Sequence, residues 1–225
     1  MLNWAARYYP ILRMLRRHVR DGQPVLEVGS GSCGLAYFYK QRMVGCDVKF
    51  SSPPIRFMLP VICSAAQLPF PAGSFEAVIA SDVLEHIPPD HRQEIIHEAL
   101  RVARKVAIFA FPCGSLAYEL DRRFFEDFRA RGHPPLDWLE EHMQFPFPEP
   151  GLFDHFGKEW FVKSFGNENL RFHSWLIQRE RSRFWLRVFA ALLRWAPLLL
   201  EQALRLADRE PCYRRIFVVG REPTK

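Results

Sequence analysis

The stretch Val25-Leu-Glu-Val-Gly-Ser-Gly-Ser-Cys-Gly34 combines a carboxylate, Glu27, with glycines at 29, 31 and 34, and a second acid, Asp47, ends the next apolar run. Glycines at 29 and 31 lack the Cβ atoms that keep a ligand off the backbone, so a turn built on them can cradle a nucleotide. The three glycines also fit the dinucleotide fingerprint, with Asp47 at the distance of a ribose contact. Glu27 argues against a pyrophosphate, because a carboxylate beside the loop repels an anion that needs free backbone N–H groups. It suits a ligand with a positively charged end.

Two later runs extend the pattern: Ser64-Ala-Ala-Gln-Leu-Pro-Phe70 and Asp82-Val-Leu-Glu-His-Ile87. On these motifs the chain resembles the class I, Rossmann-like S-adenosylmethionine-dependent methyltransferases, in the branch that includes ubiquinone-biosynthesis and other small-molecule enzymes. The family's first motif runs acid-x-Gly-x-Gly-x-Gly; here Cys33 stands where the third glycine usually sits, followed by Gly34. The second motif usually opens with an acid, which Ser64 replaces.

The resemblance implies S-adenosyl-L-methionine as cofactor. It assigns Glu27, Gly29, Ser30 and Gly31 to the methionine end and loop, and Asp47, with Val48 beside it, to the ribose. Ser64 and Ala65 fall to the adenine, and Ser81 and Asp82 close the site. The reaction implied is in-line methyl displacement, helped by aligning the acceptor and stripping its water. The acceptor would be a small molecule, a glycan or a lipid-linked intermediate, attacked at oxygen. A poorly acidic hydroxyl would need a general base, for which His86, His142 and His155 are the candidates.

Two other classes stay open. A noncatalytic S-adenosylmethionine-binding or scaffold protein would explain the departures at Cys33 and Ser64, although the retained Glu27 and Asp47 speak against it. A short-chain NAD(P) oxidoreductase should carry Tyr-x-x-x-Lys, but Tyr118 has Arg122 four residues on.

These residues need a framework of alternating strands and helices. Short β-prone runs at Val25–Val28, Met43–Asp47, Pro60–Cys63, Phe75–Ser81 and Val106–Phe111 predict parallel strands. The proline opening the third suits a sheet edge. Helices are expected over Leu35–Arg42 and from an Asp90/Gln93 capping box to Arg104, whereas Ser51 to Pro54 leave little helix in the second crossover. Leu170–His173 and Arg215–Val219 are read as the last two strands of a seven-stranded, mostly parallel Rossmann-like sheet. Helices near Ala117–Arg131 and Leu136–Met143 and a proline-rich lid make residues 115–158 an inserted cap over the acceptor. The single domain thus divides into an N-terminal helix (1–24), a cofactor core (25–114), this cap, and a C-terminal part (159–225).

Residues 182–207 read as one amphipathic helix that Pro197 divides or kinks. Its charges gather in a narrow stripe, so its apolar remainder must be covered by the cap, by a second subunit in a homodimer, or by membrane headgroups. No uncharged run is long enough to span a bilayer. The 225 residues carry a formal charge of +6, which admits anionic partners. Nucleic acid is not expected, because no basic run is interleaved with aromatics. Five scattered cysteines without a CxxC pair indicate a reducing, cytoplasmic compartment, at most peripheral on the inner face of a membrane. No metal site is expected, since the histidines lack ligand spacing. The first 20 residues are not a secretory signal.

Overall fold

The computed structural model describes residues 2–132, 134, 136–156 and 160–221. The chain runs α1 (Leu2–His18), β1 (Val25–Val28), α2 (Ala36–Tyr39), β2 (Met43–Asp47), β3 (Met58–Ile62), β4 (Phe75–Ser81), α3 (Arg92–Val102), β5 (Ala103–Pro112) and α4 (Gly114–Ala130). It continues through α5 (Asp137–His142), β6 (Trp160–Asn169), α6 (Leu170–Glu180), α7 (Arg183–Trp195), α8 (Pro197–Leu206) and β7 (Cys212–Arg221). The seven strands are ordered β3-β2-β1-β4-β5-β7-β6. β7 runs antiparallel to both of its neighbours, and β1 to β5 are parallel.

Alternation along the central strands explains why both sheet faces are covered. Leu26, Val28, Val78, Ala80, Phe109 and Phe111 point to one side, where they pack with Ile95, Ile96 and Leu100 of α3. Val25, Ala77, Ile79, Val106, Ile108 and Ala110 point to the other, against Ile11, Leu12 and Leu15 of α1. Parallel strands buried on two faces read as continuous apolar runs, as these do. Ile11 and Leu15 are fully buried, and each such side chain contributes about 1.5–3 kcal/mol. The N-terminal helix is therefore part of the core.

Three local expectations are corrected, and a fourth, the division at Pro197, is borne out. The strand expected at Leu170–His173 is the first turn of α6, where the Asn169 side chain accepts the Arg171 N–H at 2.9 Å as an N-cap. The strand lies one segment earlier, at the sheet edge, where Lys163 and Ser164 face water while Asn167 and Glu168 turn inward. The Asp90/Gln93 box does not form: Pro89–His91 make a 3-10 turn, α3 starts at Arg92, and Gln93 Nε2 donates to the Leu152 carbonyl instead. Residues 182–207 are two helices, because Ala196 leaves helical geometry (φ −138°) and Pro197 opens α8, where its missing N–H is harmless. The helix expected over Leu35–Arg42 shortens to four residues, ended by Lys40 in the left-handed region at φ 55°.

The third strand does sit at an edge, as its proline suggested. Both cap helices form, as α4 and α5. The cap boundary at Lys158 lies outside the described residues.

Candidate active site

All the functional side chains converge at the carboxyl ends of the parallel strands, the rim where ligands bind in open α/β sheets. Antiparallel β7 brings its first residues, Tyr213 and Arg214, to this rim opposite Phe111 and Pro112.

On the β1 side the site is mostly backbone. Gly29 and Gly31 have positive φ (70° and 52°), and a Cβ on Gly31 would meet nothing within 4 Å. A Cβ on Gly29 would strike Val83, which follows β4, so two strand ends close on each other there. Glu27 does not reach into open space as the sequence reading has it. Its side chain is wholly buried, and Oε2 accepts the Leu35 N–H at 2.7 Å. Gly34 is required beside it, since a Cβ there would lie 2.1 Å from the same oxygen. Burial raises the Glu27 carboxyl to about 7, although the Leu35 N–H, the Tyr8 hydroxyl and the Arg7 guanidinium all favour its charge. Tyr8 approaches without making a well-formed hydrogen bond, and Oε1 stays buried without a partner.

Asp47 stands at the tip of β2, half-buried, with Oδ2 accepting the Gly31 N–H at 2.8 Å. Asp47 and the glycine loop are thus one unit. Val48 is exposed beside it, Ser64 is exposed and accepts the Ala66 N–H, and Ala65 packs on the core. Ser30 is different: its hydroxyl is buried between its neighbour's carbonyl and Met58, so only its backbone faces the loop. Ser81 is buried, and its Oγ lacks any partner.

The β4 side is built of side chains. Asp82, at φ 51°, does not stand free to close a cofactor site. Arg214 binds it in a two-pronged pair, Nε to Oδ1 at 2.9 Å and Nη2 to Oδ2 at 3.0 Å, and Arg7 of α1 adds a third contact at 2.5 Å. Burial opposes the charge on Asp82, but the two guanidiniums outweigh it and hold the carboxyl at about 2. Arg214 also donates Nη1 to Glu168 at 2.9 Å, whose other oxygen lies 3.0 Å from His173 Nδ1. Two carboxylates thus satisfy one fully buried cation.

A second cluster adjoins the first. His142, at the end of α5, places Nδ1 2.7 Å from Asp121 Oδ2 of α4, and the Tyr213 hydroxyl donates to the same oxygen at 2.7 Å. His142 Nε2 faces Glu85 at 4.0 Å, and the His86 ring lies 5.1 Å from that of His142. Glu85 is fully buried with neither oxygen hydrogen-bonded; burial, and then the charge of Asp82, push its carboxyl up. Burial and then His142 push His86 down. Glu85, His86 and His142 could together hold a divalent cation, their ligand atoms all lying within 4.8 Å of one another. Sequence spacing hides this grouping, because His142 comes from the cap. Arg92 pins the segment after β4 by donating to the Leu84, Ile87 and Pro146 carbonyls, the last of them in the cap.

The structure thus brings His86 and His142 together but not His155. That residue is exposed in a hollow shared with His97, Trp160 and Arg221, the last two at the opposite end of the sheet. Sequence reasoning missed Arg7, Asp121, Glu168, Tyr213 and Arg214. Only the adjacent Arg214 and Arg215 at the head of an apolar strand offered a signal.

Residues 26–111 match the family described as the methyltransferase domain. No curated protein sequence matches the chain. Among solved structures, magnesium protoporphyrin IX methyltransferase from Synechocystis PCC 6803 with bound SAH is similar over 97% of this chain and 83% of its own, at 14% identity and TM-score 0.53. The MccD protein is similar over 95% and 97%, at 10% identity and TM-score 0.50. Likeness at such identity is likeness of fold, and the seven-stranded sheet with one antiparallel strand is what they share with it. Residues 26–111 thus match a methyltransferase domain, and the chain around them has the seven-stranded Rossmann-like fold of the class I methyltransferases.

Proposed function

We propose that this methyltransferase binds S-adenosyl-L-methionine over the Gly29–Gly31 turn and methylates a hydroxyl oxygen of a small-molecule acceptor held under the α4–α5 cap, with His142 as general base. The residues present fit the cofactor. Gly31 leaves a cradle that any larger residue would fill, and Glu27 Oε1 and Ser81 Oγ are buried polar atoms without partners at the two strand ends that flank it. Asp47 Oδ2 holds the loop, and Oδ1, which accepts only a long contact of 3.5 Å from the Lys49 N–H, is left for a ribose hydroxyl. Val48, Ser64 and Ala65 border the adenine side. When bound, the cofactor supplies a methyl made electrophilic by its sulfonium.

The observation that carries the catalytic assignment is the Asp121–His142 pair. A carboxylate beside Nδ1 keeps that nitrogen protonated and leaves Nε2 as the acceptor. Nε2 can then take the acceptor's proton as the oxygen attacks, and Asp121 steadies the imidazolium that results. Tyr213, bound to the same carboxylate, fixes its orientation. The surrounding Trp138 and Phe147 rings, 5.2 and 5.1 Å from His142, exclude water from the transfer.

Titration calorimetry with S-adenosylhomocysteine, on the native chain and on Asp47→Ala, tests the cofactor half. Micromolar affinity that falls in the variant supports it, and no binding by folded protein overturns it. Transfer of a labelled methyl to a panel of hydroxyl compounds, by native chain and His142→Asn, tests the rest. Full activity in the variant would refute the base.

A further inference from the structure

The largest hollow lies away from the proposed active site, where α1, α2, the segment before β3, α7 and α8 meet. It holds about 1040 Å³, the upper range for ligand-sized clefts. Its walls carry six cations, Arg13, Arg16, Arg17, Lys40, Arg56 and Arg194, and a single acid, Glu201. Glu201 is paired to Arg13 at 3.7 Å, and among the described residues the other five cations have no acidic partner. The floor is apolar, with Leu12, Phe38, Phe57 and Leu193 between the charges.

At the mouth of this groove the α7–α8 junction presents an apolar knuckle. Trp195, Leu198 and Leu199 are 78%, 76% and 74% exposed, and Leu198 also lines the groove. Phe184 and Leu206 are exposed on the same two helices at 66% and 69%. Helices this apolar, left uncovered, mark a surface that meets something else.

From this juxtaposition we infer that the groove and the knuckle form a docking surface for an anionic phospholipid bilayer. The knuckle enters the headgroup layer and Arg16, Arg17, Lys40, Arg56 and Arg194 engage lipid phosphates. Tryptophan and leucine beside arginine are the side chains that suit that layer, one end apolar and the other wet. Charge complementarity selects this occupant over a second copy of the chain. A two-fold interface through the same patch would bring one cationic groove against another, with one acid on each side to relieve the repulsion. No described helix is long and apolar enough to cross a membrane, so the contact is peripheral.

The test is co-sedimentation of the full chain with vesicles of phosphatidylcholine alone and with about one quarter phosphatidylglycerol. Binding should appear only with the anionic lipid and weaken as salt is raised. The Leu198→Glu/Leu199→Glu and Arg16→Glu/Arg17→Glu variants should each bind roughly tenfold or more weakly. These side chains are solvent-exposed, and unchanged circular dichroism and S-adenosylhomocysteine affinity would show both variants folded. Equal binding to neutral vesicles, no binding to either, or a concentration-dependent dimer that Leu198→Glu/Leu199→Glu dissolves would each overturn the proposal.

Discussion

The two halves of the site are built on opposite plans. Around β1 and β2 a ligand would meet backbone, two glycines and one exposed acid, all within a short span of sequence. Beyond β4 the wall consists of buried charged side chains drawn from α1, α4, α5, β6 and β7. The first half resembles a socket, whose tolerance lies in the backbone's freedom to hydrogen-bond. The second resembles a clamp, in which Asp82, Glu168 and Asp121 are each held by a side chain from a distant part of the chain.

That contrast predicts different failures. Removing the base by His142→Ala should lower methyl transfer to a hydroxyl acceptor by about 10²–10⁴-fold while leaving S-adenosylhomocysteine affinity unchanged by calorimetry. A parallel loss of cofactor affinity would show that the halves are not separable. Arg214→Met leaves buried Glu168 without its arginine and Asp82 with Arg7 alone, and should destabilise the fold by about 3–5 kcal/mol in urea unfolding. Asp47→Ala, on the socket side, should weaken S-adenosylhomocysteine by about 10–100-fold, with a far smaller effect on stability.

The pH dependence sharpens the contrast, because Glu27 and Asp82 carry shifts of opposite sign, with Glu85 beyond β4 shifted upward like Glu27. Glu27, raised from 4.5 to about 7, binds its proton more tightly folded than unfolded. Its contribution therefore erodes stability as pH rises through that interval, by at most about 3 kcal/mol. Asp82, lowered from 3.8 to about 2, contributes stability that is present above 3.8 and lost as pH falls through 2. Denaturant midpoints measured against pH should therefore lose part of their slope between pH 4.5 and 7 in Glu27→Gln, the remainder coming from the buried Glu85, and keep their acid limb. An unchanged slope would mean that another group titrates there.

The same contrast explains what the sequence could reveal. Glu27, Gly29, Gly31 and Asp47 are close in sequence, and the β-prone runs around them predict parallel strands, with the third at an edge. The burial of Glu27 was not legible, because its neighbours, the Leu35 N–H and Tyr8, depend on how α2 and α1 pack. Asp121 and Arg214 are 93 residues apart, and nothing local in either sequence neighbourhood announces a buried charge. His142 was visible as a histidine, but its dyad was not. The edge strand Trp160–Asn169 escaped notice because a strand facing water carries the composition of a loop.

Antiparallel β7 is the last strand in the sequence, yet it lies inside the sheet, between β5 and β6. It carries both Tyr213, which orients the proposed base pair, and Arg214, which neutralises Asp82 and Glu168. On a ribosome the glycine socket could take shape while the remainder of the chain is still being made. The clamp could not, since its central cation is synthesised after the other six strands of the sheet and must be threaded between strands already present. Synthesis order thus guards the reactive half: a nascent or truncated chain lacking β7 has a place for the cofactor but no assembled site at which to spend it.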